Sequence, residues 1–183
     1  TLINAQWKHK GMTPYEIKQN MTEIIDAFKI ASGRITRVIS GLKEFSRSDE
    51  AADKQDTNIR EVIKGALIIV GAHVRRTVSK ITQNIDQNLP SIKGHFHKLE
   101  QVITNLLINA HQSMPNERKG LITISARYIG RINSVIIEIE DNGAGIAHDI
   151  IDHIFDPFFT TRRDTGGTGL GLSISYGLVK EHQ

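Results

Sequence analysis

Between residues 139 and 172 the chain reads Glu140-Asp141-Asn142-Gly143-Ala144-Gly145-Ile146, then Ile154-Phe155-Asp156-Pro157-Phe158-Phe159-Thr160-Thr161, then Gly166-Gly167-Thr168-Gly169-Leu170-Gly171-Leu172. Two glycine clusters flank an aromatic patch. The first cluster follows a strand-like alternation, with Val135, Ile137 and Ile139 set against Glu138 and Glu140. The second runs into an apolar segment of helical character over residues 170–179. Glycine has no Cβ, so at such turns backbone N–H groups can approach a ligand closely. A helix start adds unpaired donors that favour an anion such as phosphate. The pattern predicts a nucleotide pocket made from a strand end, two glycine turns and a helix start.

The bulk numbers are compatible with this. The chain has 183 residues, enough for one ordinary domain or a small domain with an appendage. Hydrophobic and charged fractions of 39% and 23% are those of a globular protein. Its best apolar run, residues 66–72, is far below membrane-spanning length, and no secretory signal opens the sequence. There is no cysteine, so no disulfide framework or thiol chemistry, and a cytoplasmic location without direct membrane contact is expected. The net charge of +3 is mild and its basic pairs, Arg75-Arg76 and Arg162-Arg163, are scattered, which argues against a nucleic-acid partner.

Residues 15–45 place apolar side chains at Ile17, Met21, Ile24, Phe28, Ala31, Ile35, Val38, Leu42 and Phe45. The steps alternate four and three, the seam of packed helices. Ile25 and Ile39 widen the stripe towards a bundle. Thr13-Pro14 supplies the start, with Glu16 near the positive end of the helix. Such a helix either packs on its own domain or dimerises, and the strict period favours a dimerising hairpin. The polar residues 49–57 read as a linker. After it come an amphipathic helix (Val62, Ile63, Ala66, Leu67, Val70), short strands over residues 78–85 and 91–93, and a helix over residues 99–114. Strands over 121–128 and 135–139 form a hairpin. The economical architecture is α+β: an α/β sandwich with helices on one face of a mixed sheet.

Neither Gly-x-x-x-x-Gly-Lys-Ser/Thr nor a helix-opening Gly-x-Gly-x-x-Gly is present. Asp-x-Gly-x-Gly from Asp141, followed by Gly-Thr-Gly-Leu-Gly-Leu from Gly167, instead resembles the ATP-binding domain of sensor histidine kinases. The superfamily also holds DNA gyrase, heat-shock chaperones and mismatch-repair ATPases. Gly41-Leu42-Lys43-Glu44-Phe45-Ser46-Arg47 is similar to the second helix of the kinases' dimerisation hairpin, and Thr1-Leu2-Ile3 to the residues just after their H box. The resemblance implies a partial hairpin over residues 1–48, forming a dimeric four-helix bundle through residues 15–45. It implies a catalytic domain over 58–183, with further strands expected after Gln183. The phospho-accepting histidine is expected ahead of Thr1, and none of the chain's own histidines takes that role.

Asn105 and Asn109 lie four apart on one helix face. Two amides there can be solvent decoration; by resemblance they are the N box, with Asn109 the Mg²⁺ ligand and Asn105 the catalytic position beside the phosphates. Gln112, a turn on, contacts phosphate in some relatives. Mg²⁺ takes oxygen ligands and keeps several waters, so one neutral carbonyl suffices from the protein. A carboxylate only accepts hydrogen bonds, which suits Asp141 to the amino group of adenine and opposes the carbonyl of guanine. Gly143, Gly145 and Ile146 would turn against the base. Phe155 is expected in the core, while Phe158 and Phe159 belong to the aromatic box that anchors a lid over ATP in the family. That lid would cover residues 160–167, with Thr160, Thr161, Arg162 and Gly167 near the nucleotide and Arg162 or Arg163 either reaching phosphate or lying solvated. Thr168, Gly169, Leu170, Gly171 and Leu172 would cradle the phosphates. His95-x-His97 lacks a second ligand pair and reads as a surface loop.

Three functions compete: a histidine protein kinase core, an ATPase of the chaperone or topoisomerase kind, and a non-catalytic module that binds nucleotide or dimerises. ATP-hydrolysing relatives typically carry a glutamate where this chain has Asn105, as a base on water. A hydroxyl acceptor likewise needs its proton removed, whereas a neutral imidazole is nucleophilic near pH 7. Asn105 therefore favours the kinase, with ATP and Mg²⁺ as ligands and a response-regulator receiver domain as partner. The chain would act in the cytoplasm, free or as part of a larger membrane-bound sensor.

Overall fold

The computed structural model describes residues 13–46, 53–74, 78–114, 120–162 and 167–183. They fall into two units, divided between Ser46 and Arg47.

In the first unit the described residues, 13–46, form one helix, α1 (Pro14–Ser46), of 33 residues and about 50 Å. A reciprocal cap starts it. The Thr13 backbone N–H donates to Glu16 Oε2 at 2.6 Å, and the Glu16 N–H donates to Thr13 Oγ1 at 3.3 Å. Met21, Ile24, Ile25 and Phe28 are all exposed, a stripe with no cover inside this unit. Of the hairpin and dimeric four-helix bundle expected over residues 1–48, the described residues show this one helix. Residues 1–12, and the side chains of Ile35, Val38, Leu42 and Phe45, lie outside the described residues.

The second unit runs β1 (Gln55–Thr57), α2 (Ile59–Val74), β2 (Val78–Ile85), β3 (Ile92–Gly94), α3 (Phe96–Ser113), β4 (Gly120–Ile129), β5 (Ser134–Asp141) and α4 (Gly171–Lys180). Asn58 caps α2 by accepting the Arg60 N–H at 2.9 Å. β4 is the centre of a mixed sheet, parallel to β2 and antiparallel to β5. The β4–β5 hairpin turns through Gly130–Ile132 and Asn133, whose φ of 49° is held by a hydrogen bond from the Tyr128 hydroxyl at 2.9 Å. Ile122, Ile124 and Ala126 point from β4 into a core completed by Val62, Ile63, Ala66 and Val70 of α2 and Ile103 and Leu107 of α3. The alternate residues Thr123 and Ser125, with Glu138 and Glu140, line a polar depression on the opposite face. The unit is thus α+β with helices against one face of a mixed sheet.

Two features depart from the sequence expectation. The linker over 49–57 ends in β1, which pairs antiparallel with β3 in a separate two-stranded ribbon. Its residues, Gln-Asp-Thr, carry no apolar alternation; backbone pairing and the Thr57 hydroxyl on Gly94 O at 2.9 Å place it. The other is a polar clasp at the C-terminal end of α4. His182 Nδ1 lies 2.6 Å from Leu178 O, and Nε2 accepts the His95 backbone N–H at 3.0 Å. Lys98 and Glu181 pair at 2.9 Å beside it. This fixes α4, whose N-terminal end bears on the site. Among the described residues no group of three His, Cys, Asp or Glu that could hold a metal ion includes His95 or His97. No described helix is long and apolar enough to cross a membrane.

Candidate nucleotide-binding site

β5 delivers Asp141 to the helix side of the sheet, because its register partner Ile122 is buried on that side. Asp141 Oδ1 accepts two hydrogen bonds, from the Gly143 N–H at 2.8 Å and the Ser113 hydroxyl at 2.7 Å. The Ala144 N–H donates to Ser113 O at 3.0 Å, and Asn142 Oδ1 accepts the Leu121 N–H at 2.7 Å. The first glycine turn is therefore stitched to the end of α3 and the start of β4. A Cβ at Gly143 would sit 1.9 Å from Ser113 Oγ, so only glycine fits. Gly145 needs its own freedom, with φ at 74°, and Ile146 next to it is exposed.

The chain then passes through a 3₁₀ segment, His148–His153, to the aromatic patch. Phe155 is not core. It is 46% exposed and packs obliquely on Tyr176 of α4 at 5.2 Å, with Lys180 over the Tyr176 ring.

Phe158 adopts φ 66° and donates its N–H to Gly169 O at 2.9 Å, while Gly169 has φ 68°. A Cβ at Gly169 would meet the Phe158 carbonyl carbon at 2.4 Å. The two ends of the intervening loop are thus joined backbone to backbone. Within it, Thr160 Oγ1 accepts the Arg162 N–H at 3.1 Å and Arg162 O accepts the Gly167 N–H at 2.9 Å. The Arg162 guanidinium reaches Gln112 Oε1 at 3.0 Å. Thr161 is exposed; Arg163 lies outside the described residues.

At the second glycine cluster Thr168 Oγ1 accepts the Leu170 N–H at 3.4 Å, and Leu170 is buried ahead of Gly171 and Leu172 in the first turn of α4. Asn105 Nδ2 lies 3.4 Å from Gly171 O and 3.3 Å from the Ser175 hydroxyl. α3 consequently touches all three parts of the site: Asn105 at the start of α4, Gln112 at the loop, Ser113 at the Asp141 turn. Half-buried Asn109 lies one turn from Asn105, and its amide has no partner among the described residues. Ser113 and Ser175 were not anticipated from sequence. A lone serine at a helix end, or one facing inward, follows no period that singles it out.

The free atoms (Asp141 Oδ2, the Asn109 amide, the first N–H groups of α4) suit a base, a metal-bound polyphosphate and its anionic oxygens. Residues 94–183 match the family described as histidine kinase-, DNA gyrase B- and HSP90-like ATPases. Over 172 residues the chain is 31% identical to the sensor histidine kinase ZraS of Salmonella typhi, covering 94% of this chain and 34% of that protein. Residues 94–183 carry the type of ATP-binding domain found in sensor histidine kinases. The chain is also 37% identical to the signal transduction histidine-protein kinase AtoS of Escherichia coli, over 81% of the chain and 24% of AtoS. Its fold matches that of the histidine kinase ThkA, solved with the response regulator TrrA, at a TM-score of 0.65 and 21% identity, over 93% of this chain and 46% of that one. The chain spans between 16% and 34% of the length of the curated relatives it matches.

Proposed function

We propose that this chain is the Mg-ATP-binding core of a histidine protein kinase. It would transfer the γ-phosphoryl group of ATP to a histidine on a dimerisation hairpin, for relay to an aspartate of a response-regulator receiver domain. The observation that carries this is the way α3 ties both glycine turns and the loop between them around an unengaged Asn109 and the second oxygen of Asp141. Asp141 accepts from the adenine amino group, and Gly143, Gly145 and Ile146 lie along the base. Asn109 offers its carbonyl oxygen to Mg²⁺. Thr168, Gly169, Gly171 and Leu172 present N–H groups to the phosphates, while the Leu170 N–H is held by Thr168 Oγ1. Phe158, Thr160, Thr161, Arg162 and Gly167 form the flank of the site, with Gln112 holding the Arg162 guanidinium. Phosphoryl transfer is mainly positioning and charge stabilisation, so these are the tasks the chain must perform.

Asn105 favours the kinase over an ATPase. Its amide cannot serve as a base, and it is engaged with Gly171 O and Ser175 at the start of α4. Homodimerisation through residues 15–45 is supported by the exposed stripe of α1. A receiver-domain partner is supported by the ThkA–TrrA complex.

Incubation with γ-labelled ATP tests the reading. The chain alone should stay unlabelled. A version extended upstream of Thr1 and carrying Asp141→Asn should gain an acid-labile, base-stable label from it, provided the two form mixed dimers. Steady phosphate release without an acceptor would point to an ATPase, and no label with no release would refute both activities.

A further inference from the structure

We propose that Ser113 is a positioning residue that sets the base specificity of the site by orienting the carboxylate of Asp141. The inference rests on the ATP site proposed above and adds to it a residue outside the glycine and asparagine motifs.

Asp141 is an exposed carboxylate at the last position of a strand, where nothing in the fold's packing would choose among its rotamers. Two donors choose for it, and both act on the same oxygen. The Gly143 N–H reaches Oδ1 at 2.8 Å and the Ser113 hydroxyl reaches it at 2.7 Å. The Ser113 hydroxyl also lies 2.8 Å from Ala110 O. It has one proton, and an ionised carboxylate is the stronger acceptor of the two. With Oδ1 loaded, Oδ2 is the acceptor left to a ligand. A single fixed acceptor matches a purine carrying an amino group at the 6 position. It opposes a 6-oxo purine, which would set oxygen against oxygen.

The surroundings are built for this contact. Ser113 ends α3, and its carbonyl also accepts the Ala144 N–H at 3.0 Å, so helix end and turn are joined twice. The space a side chain at residue 143 would need is held by Ser113 Oγ at 1.9 Å and Asp141 Oδ1 at 2.6 Å. Gly143 thus admits the serine as well as the turn.

The test compares ATP with purine riboside triphosphate, which lacks the 6-amino group, by calorimetric titration of wild type, Ser113→Ala, Asp141→Asn and the double variant. Ser113→Ala should weaken ATP about tenfold, within the range for a lost hydrogen bond to a charged group, and leave the analogue unchanged. In the Asp141→Asn background Ser113→Ala should change neither nucleotide further, because it acts through Asp141. Equal losses for ATP and the analogue would make Ser113 a structural residue and overturn the proposal. So would an undiminished ATP loss in the Asp141→Asn background. Wild-type protein that binds neither nucleotide would instead overturn the ATP reading on which the proposal stands.

Discussion

Phe158 offers a test of the backbone joint by exchange for the two smallest residues. A bulky side chain in the left-handed region costs about 1–2 kcal/mol, and Phe158 sits there with φ at 66°. The ring is 51% exposed, so either truncation forfeits about half the burial of a phenylalanine, roughly 1 kcal/mol. Phe158→Ala loses that and keeps the left-handed penalty. Phe158→Gly loses the same contact and sheds the penalty, while its freer unfolded chain returns about 0.5–1 kcal/mol. The difference leaves the glycine variant about 0.5–1 kcal/mol more stable than the alanine variant. At an ordinary position glycine is the less stable by a similar amount, so the sign is diagnostic. Urea unfolding of the two variants reads it directly. An alanine variant as stable as the glycine variant would refute a strained, over-determined joint. Gly169→Ala serves as the counterpart and should be worse than either, since its Cβ would press on backbone that cannot rotate away.

Asn109→Ala should weaken ATP binding in magnesium far more than in EDTA, measured by titration; equal losses would mean that Asn109 acts on the nucleotide or on folding. The proposed dimerisation through residues 15–45 predicts that Leu42→Asp is monomeric by light scattering, because a charge placed unpaired in a helical seam costs several kcal/mol; a fully dimeric variant would refute the seam. The Glu16 carboxyl is held below its ordinary value of 4.5, first by the Thr13 backbone N–H and then by the Thr13 hydroxyl. A depressed carboxyl stabilises above its unfolded value and ceases to as pH falls through the folded one. The first turn of α1 should therefore loosen below the ordinary glutamate range, seen in ¹³Cα shifts of Thr13 to Ile17, and Glu16→Gln should abolish that dependence.

What could be read from the sequence was what repeats. The apolar period of residues 15–45 and the alternation of β4 and β5 each place many side chains on one face, and one deviant residue does not hide them. β1 was missed because three polar residues owe their strand to β3, which lies 37 residues away at Thr57 and Gly94. Phe155 was misplaced because hydrophobicity reports a preference for burial and not whether the local path offers an interior. The glycines were visible as a pattern, yet the reasons for them lie across the fold: Ser113 against Gly143, Phe158 against Gly169. The same holds for Asn105, whose spacing from Asn109 marks a shared face but not its contact with Gly171 O.

The most direct test of the central claim is a calorimetric titration of Mg-ATP into wild type and Asp141→Asn. The substitution keeps the side chain's size and turns an acceptor oxygen into a donor amide in part of its orientations, facing the amino group it should hold. ATP binding to the wild type and at least a tenfold loss in the variant, about 1.4 kcal/mol, is the predicted result. Equal affinities for the two proteins would contradict the account.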